Sequence, residues 1–249
     1  MKETALITGA TSGIGLATAR AFLNFGYRVI VTGRRTEVLN ALAREFGEAS
    51  CLPLTLDVCD PEQCRRLPEN LPDGWRDIDV LVNNAGLALG LEPLYEGDPS
   101  DWATMVDTNI KGLLDVTRSI VPLMLARGKG HIINIGSVAG DAAYAGGAVY
   151  CATKAAVKAI TDGLRIDLVD TPLRVTLIKP GLVETPFSTV RFHGDSERAA
   201  KVYTGIEALQ AEDIADAVVY AATAPAHVQI AEMLILATRQ ANGSIIVRY

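Results

Sequence analysis

Thr4-Ala5-Leu6-Ile7-Thr8-Gly9-Ala10-Thr11-Ser12-Gly13-Ile14-Gly15 is the stretch that decides the fold. A short apolar run, Thr4 to Thr8, enters three glycines. The spacing then turns helical: Ile14, Ala17, Ala21 and Phe25 fall on one face of a helix from Gly13 to Phe25. A glycine turn between a strand and a helix has a physical use. Gly9 permits the tight turn, Gly13 lets a ligand approach the backbone, and Gly15 lets the helix pack close to the sheet. The helix N-terminus then offers free N–H groups and a positive dipole end to a pyrophosphate, with Thr11, Ser12 and Ile14 alongside. A turn without a ligand is the competing reading. The spacing G-x-x-x-G-x-G differs from the general G-x-G-x-x-G fingerprint, but its place after the first strand favours phosphate binding.

Outward from this turn, strands and helices alternate. Strands are expected at Arg28–Thr32, Cys51–Val58, Asp79–Asn83, His131–Ile135, Arg174–Ile178 and Met233–Leu236. Helices are expected at Thr36–Phe46, Pro61–Leu71, Ser100–Met124, Val149–Val169 and Ala211–Ala222. Asp60 is an N-cap before Pro61, and Gly47 is a C-cap. Strands that are apolar throughout and separated by helices imply a parallel sheet covered on both faces. The expected fold is α/β: one doubly wound Rossmann domain over residues 1–249 with a seven-stranded parallel sheet. Its cofactor half runs to about residue 135, its catalytic and substrate half from about 136, and a mobile lid spans about 185–205.

Composition excludes several classes. Apolar residues make up 49% and charged residues 21%, so the chain is globular and not disordered. A net charge of −6 leaves no excess of cations for nucleic acid. No run approaches the ~20 apolar residues that cross a bilayer. The N-terminal apolar run is too short for a signal peptide. Cys51, Cys59, Cys64 and Cys151 fit no zinc spacing, and His131, His193 and His227 are isolated, so no metal is expected. Free thiols and no export signal point to the cytoplasm. Ser137 lies in Gly136-Ser-Val-Ala-Gly140, which is not a hydrolase elbow, and no P-loop is present.

Two constellations carry chemistry. The second strand ends Val31-Thr32-Gly33-Arg34-Arg35, without the acid that would hold the ribose 2′-hydroxyl of NAD. Two arginines there favour the 2′-phosphate of NADP, with a solvated surface charge as the alternative for either. Tyr150 and Lys154 are i and i+4 on one helix face. A lysine cation one turn away favours phenolate over phenol, and a tuned tyrosine exchanges protons with an alcohol or carbonyl. Ser137, just after a strand, is placed to hold the reacting oxygen. Taken singly, each residue is as readily structural: a core aromatic, a solvated lysine, a turn serine.

With these motifs the chain resembles the short-chain dehydrogenase/reductase family. The resemblance rests on Thr8–Gly15, Leu56-Asp57-Val58, Asn83-Asn84-Ala85-Gly86, Asn109, Ser137, Tyr150-x-x-x-Lys154 and Pro180-Gly181, in the family's order over most of the chain. It implies that Asn109, Ser137, Tyr150 and Lys154 form the catalytic set, with Tyr150 and Lys154 also meeting the cofactor. Lys154 would bind the nicotinamide ribose, and Asn109 a water linking Lys154 to solvent. Asp57 and Val58 would flank adenine. Asn83, Ala85 and Gly86 would line the adenosine ribose and central cleft. Pro180, Gly181, Val183 and Thr185 would contact nicotinamide. The family resemblance and two long apolar helices also imply a homodimer or homotetramer.

Phe187-Ser-Thr-Val-Arg-Phe-His-Gly-Asp195, Asn83–Gly90, His131–Ser137 and Tyr144-Ala-Gly-Gly147 are similar to a narrower subgroup, the NADP-dependent 3-hydroxy acid dehydrogenases. Such a substrate carries a carboxylate. Arg191 in the lid is the expected partner for it, a surface lid residue being the alternative. Another carbonyl substrate, or a non-catalytic NADP-sensing regulator, are the competing functions. The tail, Gln240 to Tyr249, lacks the common Asp-Gly-Gly and is expected at a subunit contact.

Overall fold

In β1 (Thr4–Ile7), Ala5 and Ile7 join one apolar core while Leu6 joins another. A strand's side chains alternate faces, so a strand covered on both sides is apolar throughout. The same alternation holds in β2 (Arg28–Gly33), β4 (Val80–Asn83) and β5 (His131–Ile135). With β3 (Cys51–Thr55), β6 (Arg174–Pro180) and β7 (Glu232–Ile235), they form one all-parallel sheet in the order β3-β2-β1-β4-β5-β6-β7. This computed structural model describes residues 2–249.

One face is covered by α1 (Gly13–Asn24), α2 (Thr36–Phe46) and α9 (Ala211–Thr223), through Phe22, Leu39, Leu42, Ile214 and Val218. The other is covered by α3 (Pro61–Asn70), α5 (Leu113–Arg127) and the end of α6 (Ala148–Asp167), through Leu67, Val116, Ile120 and Leu164. The strand order reverses direction at β1, which lies between β2 and β4. Ligands in such sheets bind beyond the carboxyl ends of the strands at this switch point.

Two departures from the sequence expectation matter. The single helix expected over Ser100–Met124 is two helices, α4 (Pro99–Val106) and α5, joined by a π-helical turn at Asp107–Gly112. The apolar repeat continues on both sides, so periodicity does not reveal the wider i→i+5 turn. Such turns re-aim the residues they contain, here Asn109. The expected loop over 185–205 holds two short helices, α7 (Phe187–Arg191) and α8 (Ser196–Lys201). The tail packs on its own chain. Arg248 donates to the carbonyl of Val202 at 3.0 Å, and the Tyr249 N–H to that of Gly205 at 2.9 Å. No helix among the described residues is long and apolar enough to cross a membrane.

Candidate active site

One cavity of about 700 Å³ runs along the carboxyl ends of the strands. The turn after β1 forms its floor. Gly9 has φ +67°, and a Cβ there would lie 2.9 Å from the Ala85 Cα, so only glycine fits. Gly15 does not line the cavity. A Cβ on it would meet the Asn84 Nδ2 at 2.3 Å and the Gly9 carbonyl oxygen at 2.4 Å, so it serves close packing and not the direct cofactor contact also expected of it. Thr11, Ser12, Gly13 and Ile14 do line it. Ser12 is the N-cap of α1 but makes no side-chain cap, which leaves first-turn N–H groups facing the cavity.

Arg34 and Arg35 follow β2 at one end of the cavity, beside Asp57 and Val58. Arg35 is held by Thr11, which accepts from its Nε at 3.2 Å and its Nη2 at 2.8 Å. Two exposed guanidinium groups and an uncapped helix N-terminus fit a dinucleotide carrying an extra phosphate. Bound there, NADP supplies the hydride acceptor or donor.

Ala85 and Gly86 line the cavity, but Asn83 does not. Its side chain is buried below, donating at 2.9 Å to both the Thr117 hydroxyl and the Asn134 amide oxygen. The residue at this place is Asn84. It clamps the glycine turn by donating to the Thr8 carbonyl at 2.8 Å, while its own N–H donates to the Thr8 hydroxyl at 3.0 Å. Consecutive residues leaving a strand point to opposite sides, and the Asn-Asn pair does not say which faces out.

At the other end of the cavity, Ser137, Tyr150 and Lys154 converge from the end of β5 and from α6. Ser137 begins a single 3₁₀ turn and its hydroxyl accepts from the Ala139 N–H at 3.1 Å. Its hydroxyl, beside that of Tyr150, also favours phenolate. Burial pushes Tyr150 strongly upward against this, and Tyr144 adds to the rise. The Arg191 guanidinium pulls it down with Ser137. Lys154 reaches past Tyr150 to donate to the Ile135 carbonyl at 2.9 Å, and burial pushes it down to about 8. The lysine expected to acidify Tyr150 is thus engaged with the sheet. Its i+4 spacing shares a helix face, but the long side chain extends to the strand end.

Asn109 is buried off the cavity wall. Its amide receives the Leu87 N–H at 2.9 Å and donates to the Leu87 carbonyl at 2.8 Å and Thr153 at 3.0 Å. It fixes the segment after Gly86 against α6. Pro180, Gly181, Val183 and Thr185 line the cavity after β6.

Arg191 lines the cavity at the same end as Ser137 and Tyr150. Its Nε donates to the Gly90 carbonyl at 3.0 Å and its Nη1 to the Tyr144 hydroxyl at 2.8 Å. Its Nη2 is buried without a partner, and among the described residues no carboxylate forms an ion pair with it. A half-buried cation without a counter-ion is costly unless an anion arrives. Sequence reasoning quoted Tyr144 in the Tyr144-Ala-Gly-Gly147 stretch but gave it no role in the site. It also missed Gly243, Ile246 and Arg248, which reach the cavity from the tail and carry no local motif.

Comparison with known proteins agrees with this geometry. Residues 3–195 match the short chain dehydrogenase family model. An NADP-dependent 3-hydroxy acid dehydrogenase of Salmonella typhi is 55% identical over 226 residues, covering 90% of this chain and 91% of that one. A serine 3-dehydrogenase of Rhizobium radiobacter is 46% identical, covering 96% of both chains. Among solved structures, the closed form of a serine dehydrogenase complexed with NADP+ superposes with a TM-score of 0.94 at 46% identity, covering 99% of both chains. Serine dehydrogenase from Escherichia coli gives 0.85 at 44% identity, covering 96% of this chain and 99% of that one. Motif order, switch-point cavity and sequence match converge: this chain belongs to the short-chain dehydrogenase family.

Proposed function

We propose that this enzyme moves hydride between NADP and a small 3-hydroxy acid, of the serine, L-allo-threonine or 3-hydroxypropionate type. The observation that carries the reading is the buried, unpartnered Nη2 of Arg191 in the cavity that holds Ser137 and Tyr150. A carboxylate seated on Arg191 supplies the missing counter-ion, with hydrogen bonds stronger than those between neutral groups. The hydroxyl of the same molecule then lies between the hydroxyls of Ser137 and Tyr150. Ser137 holds the alcohol oxygen. Tyr150 takes the hydroxyl proton in oxidation and returns it in reduction. Arg34 and Arg35 select NADP over NAD through the 2′-phosphate.

The test is a screen of NADP reduction with serine, allo-threonine, 3-hydroxypropionate and neutral alcohols, repeated with Arg191→Ala. Loss of roughly 10–100-fold in kcat/KM on acids, with a smaller loss on neutral alcohols, is expected for a charge-assisted contact. Equal losses on both classes would remove Arg191 from carboxylate binding. Preference of the wild type for keto sugars or acyl thioesters would replace the substrate class.

The subunits associate as a homodimer or homotetramer in this reading. The open edge of β7 leaves Leu234 half exposed, and α9 exposes Tyr220. Light scattering at the mass of one chain would exclude both assemblies. The working compartment is the cytoplasm, where the four free thiols stay reduced. Recovery of the enzyme outside the cytoplasmic fraction of its cells would exclude that.

A further inference from the structure

Arg191 does more in this structure than await a carboxylate. Its guanidinium carbon sits 5.4 Å from the centre of the Tyr144 ring and 5.7 Å from that of Tyr150. Phe187, also from α7, meets Tyr150 edge-on with ring centres 5.7 Å apart. One short helix therefore supplies both a cation and an aromatic wall to the proton-transfer tyrosine. A cation near a phenol ring binds the anionic form far better than the neutral one, because the phenolate charge spreads into the ring.

We propose that Arg191 is a second functional cation of the reaction centre, through which capture of the substrate carboxylate sets the proton affinity of Tyr150. The inference rests on the reading that Arg191 holds that carboxylate. Before an anion arrives, the guanidinium charge favours the phenolate. Once a carboxylate pairs with the guanidinium, that charge is largely offset. The Tyr150 oxygen then becomes a stronger proton acceptor, with the alcohol seated beside it. A neutral alcohol leaves the cation uncompensated and Tyr150 a weaker base.

The other groups around the pair do not supply this coupling. On α6, Lys154 donates to the Ile135 carbonyl and Cys151 is buried with its thiol pushed up. The Ser137 hydroxyl carries no charge. Tyr144 is raised by burial and neutral. Glu92, Asp98 and Asp101 line a small cleft behind Arg191 but are engaged. Glu92 accepts from the Leu91 N–H at 2.8 Å, Asp98 from the Ser100 N–H at 2.8 Å, and Asp101 lies 3.1 Å from His193. Of the groups that touch the Tyr150 ring, Arg191 is the cation that a substrate anion can neutralise.

The experiment measures single-turnover hydride transfer as a function of pH, by NADPH absorbance. The substrates are 3-hydroxypropionate and its neutral counterpart 1,3-propanediol, at saturation. In wild type, the pH at which oxidation reaches half its maximum is expected to lie about one unit higher for the acid than for the diol. In Arg191→Gln, the diol midpoint is expected to rise by about one unit toward the value for the acid. Coincident midpoints for the two substrates in wild type overturn the proposal, and that arm needs no variant to fold. A uniform loss of rate in Arg191→Gln with an unmoved diol midpoint also overturns it, since a purely structural role gives that pattern. Carboxylate binding is judged separately, from the ratio of KM for the acid to KM for the diol. An unchanged ratio with a shifted diol midpoint rejects carboxylate capture and leaves Arg191 as a fixed cation, ending the coupling.

Discussion

Acidification to pH 5 is expected to cost this protein about 2 kcal/mol of stability through one residue, His131. The residue begins β5 and is buried. Its Nε2 lies 2.7 Å from the Thr176 hydroxyl, which donates its own proton to the Ile230 carbonyl at 2.6 Å. The hydroxyl can therefore only accept from the ring. That assigns the proton to Nε2 and leaves Nδ1 bare, buried and without a partner. Protonating Nδ1 creates a buried cation facing no acceptor. Burial, aided by the nearby Arg174 charge, pushes the folded value from 6.5 down to about 3. Between those limits the unfolded chain binds the proton and the folded one does not, so stability falls as pH falls. Integrating from pH 7 to pH 5 gives about 2 kcal/mol for this single group. Urea unfolding at both pH values and one protein concentration measures the loss. His131→Gln places an amide donor near the Nε2 position and cannot charge, so its loss is expected to be smaller by about that amount. Identical pH dependence in wild type and variant would refute the assignment.

The remaining predictions concern the site. Tyr150→Phe is expected to lower kcat by about 100-fold or more while NADPH binding, followed by fluorescence, is retained, because only proton transfer is removed. Replacing Arg34 and Arg35 by Ala together is expected to weaken NADP binding by about 10–100-fold and leave NAD nearly unchanged, read as the ratio of dissociation constants. Gly15→Ala forces a Cβ within 2.3 Å of the Asn84 amide. The expected cost is about 1–3 kcal/mol, seen as a lower Tm with weaker NADP binding.

What was legible in the sequence was local chemistry. The turn after β1 is read from glycine, because a positive φ and a close approach each exclude a side chain there. Tyr150 and Lys154 are read from helical spacing, and Asp60 before Pro61 from capping, which the structure shows as bonds to the Glu62 and Gln63 N–H groups. What failed depended on orientation or distance. Asn83 and Asn84 are neighbours whose facing is set by the end of a strand, and the wrong one was expected in the cleft. The π turn at Asn109 adds one residue to a register that apolar periodicity does not resolve. Arg191 was found through its charge and the subgroup resemblance. Its partners, Gly90 and Tyr144, lie 101 and 47 residues away. The tail's route back to the cavity was equally unreadable, since its bonds end on the backbone carbonyls of Val202 and Gly205, which no residue type announces.

Burial shifts Tyr150 and Lys154 in opposite directions, and this decides which charges the proposed reaction can use. Removing water penalises phenolate and ammonium alike, so Tyr150 moves up and Lys154 moves down to about 8. As the pH rises toward conditions that favour a tyrosine base, the lysine begins to lose its own charge. A cation that titrates there is a poor sole support for phenolate. Arg191 adds a second cation there, its guanidinium carbon 5.7 Å from the centre of the Tyr150 ring. The chain therefore sets one cation against the Tyr150 ring, where a substrate carboxylate can offset it, and a titrating one on the sheet side. On this argument Arg191→Lys is not conservative. An ammonium lacks the planar fork that grips Gly90 and Tyr144 at once, and its release would loosen the cation from the ring even though the formal charge is kept.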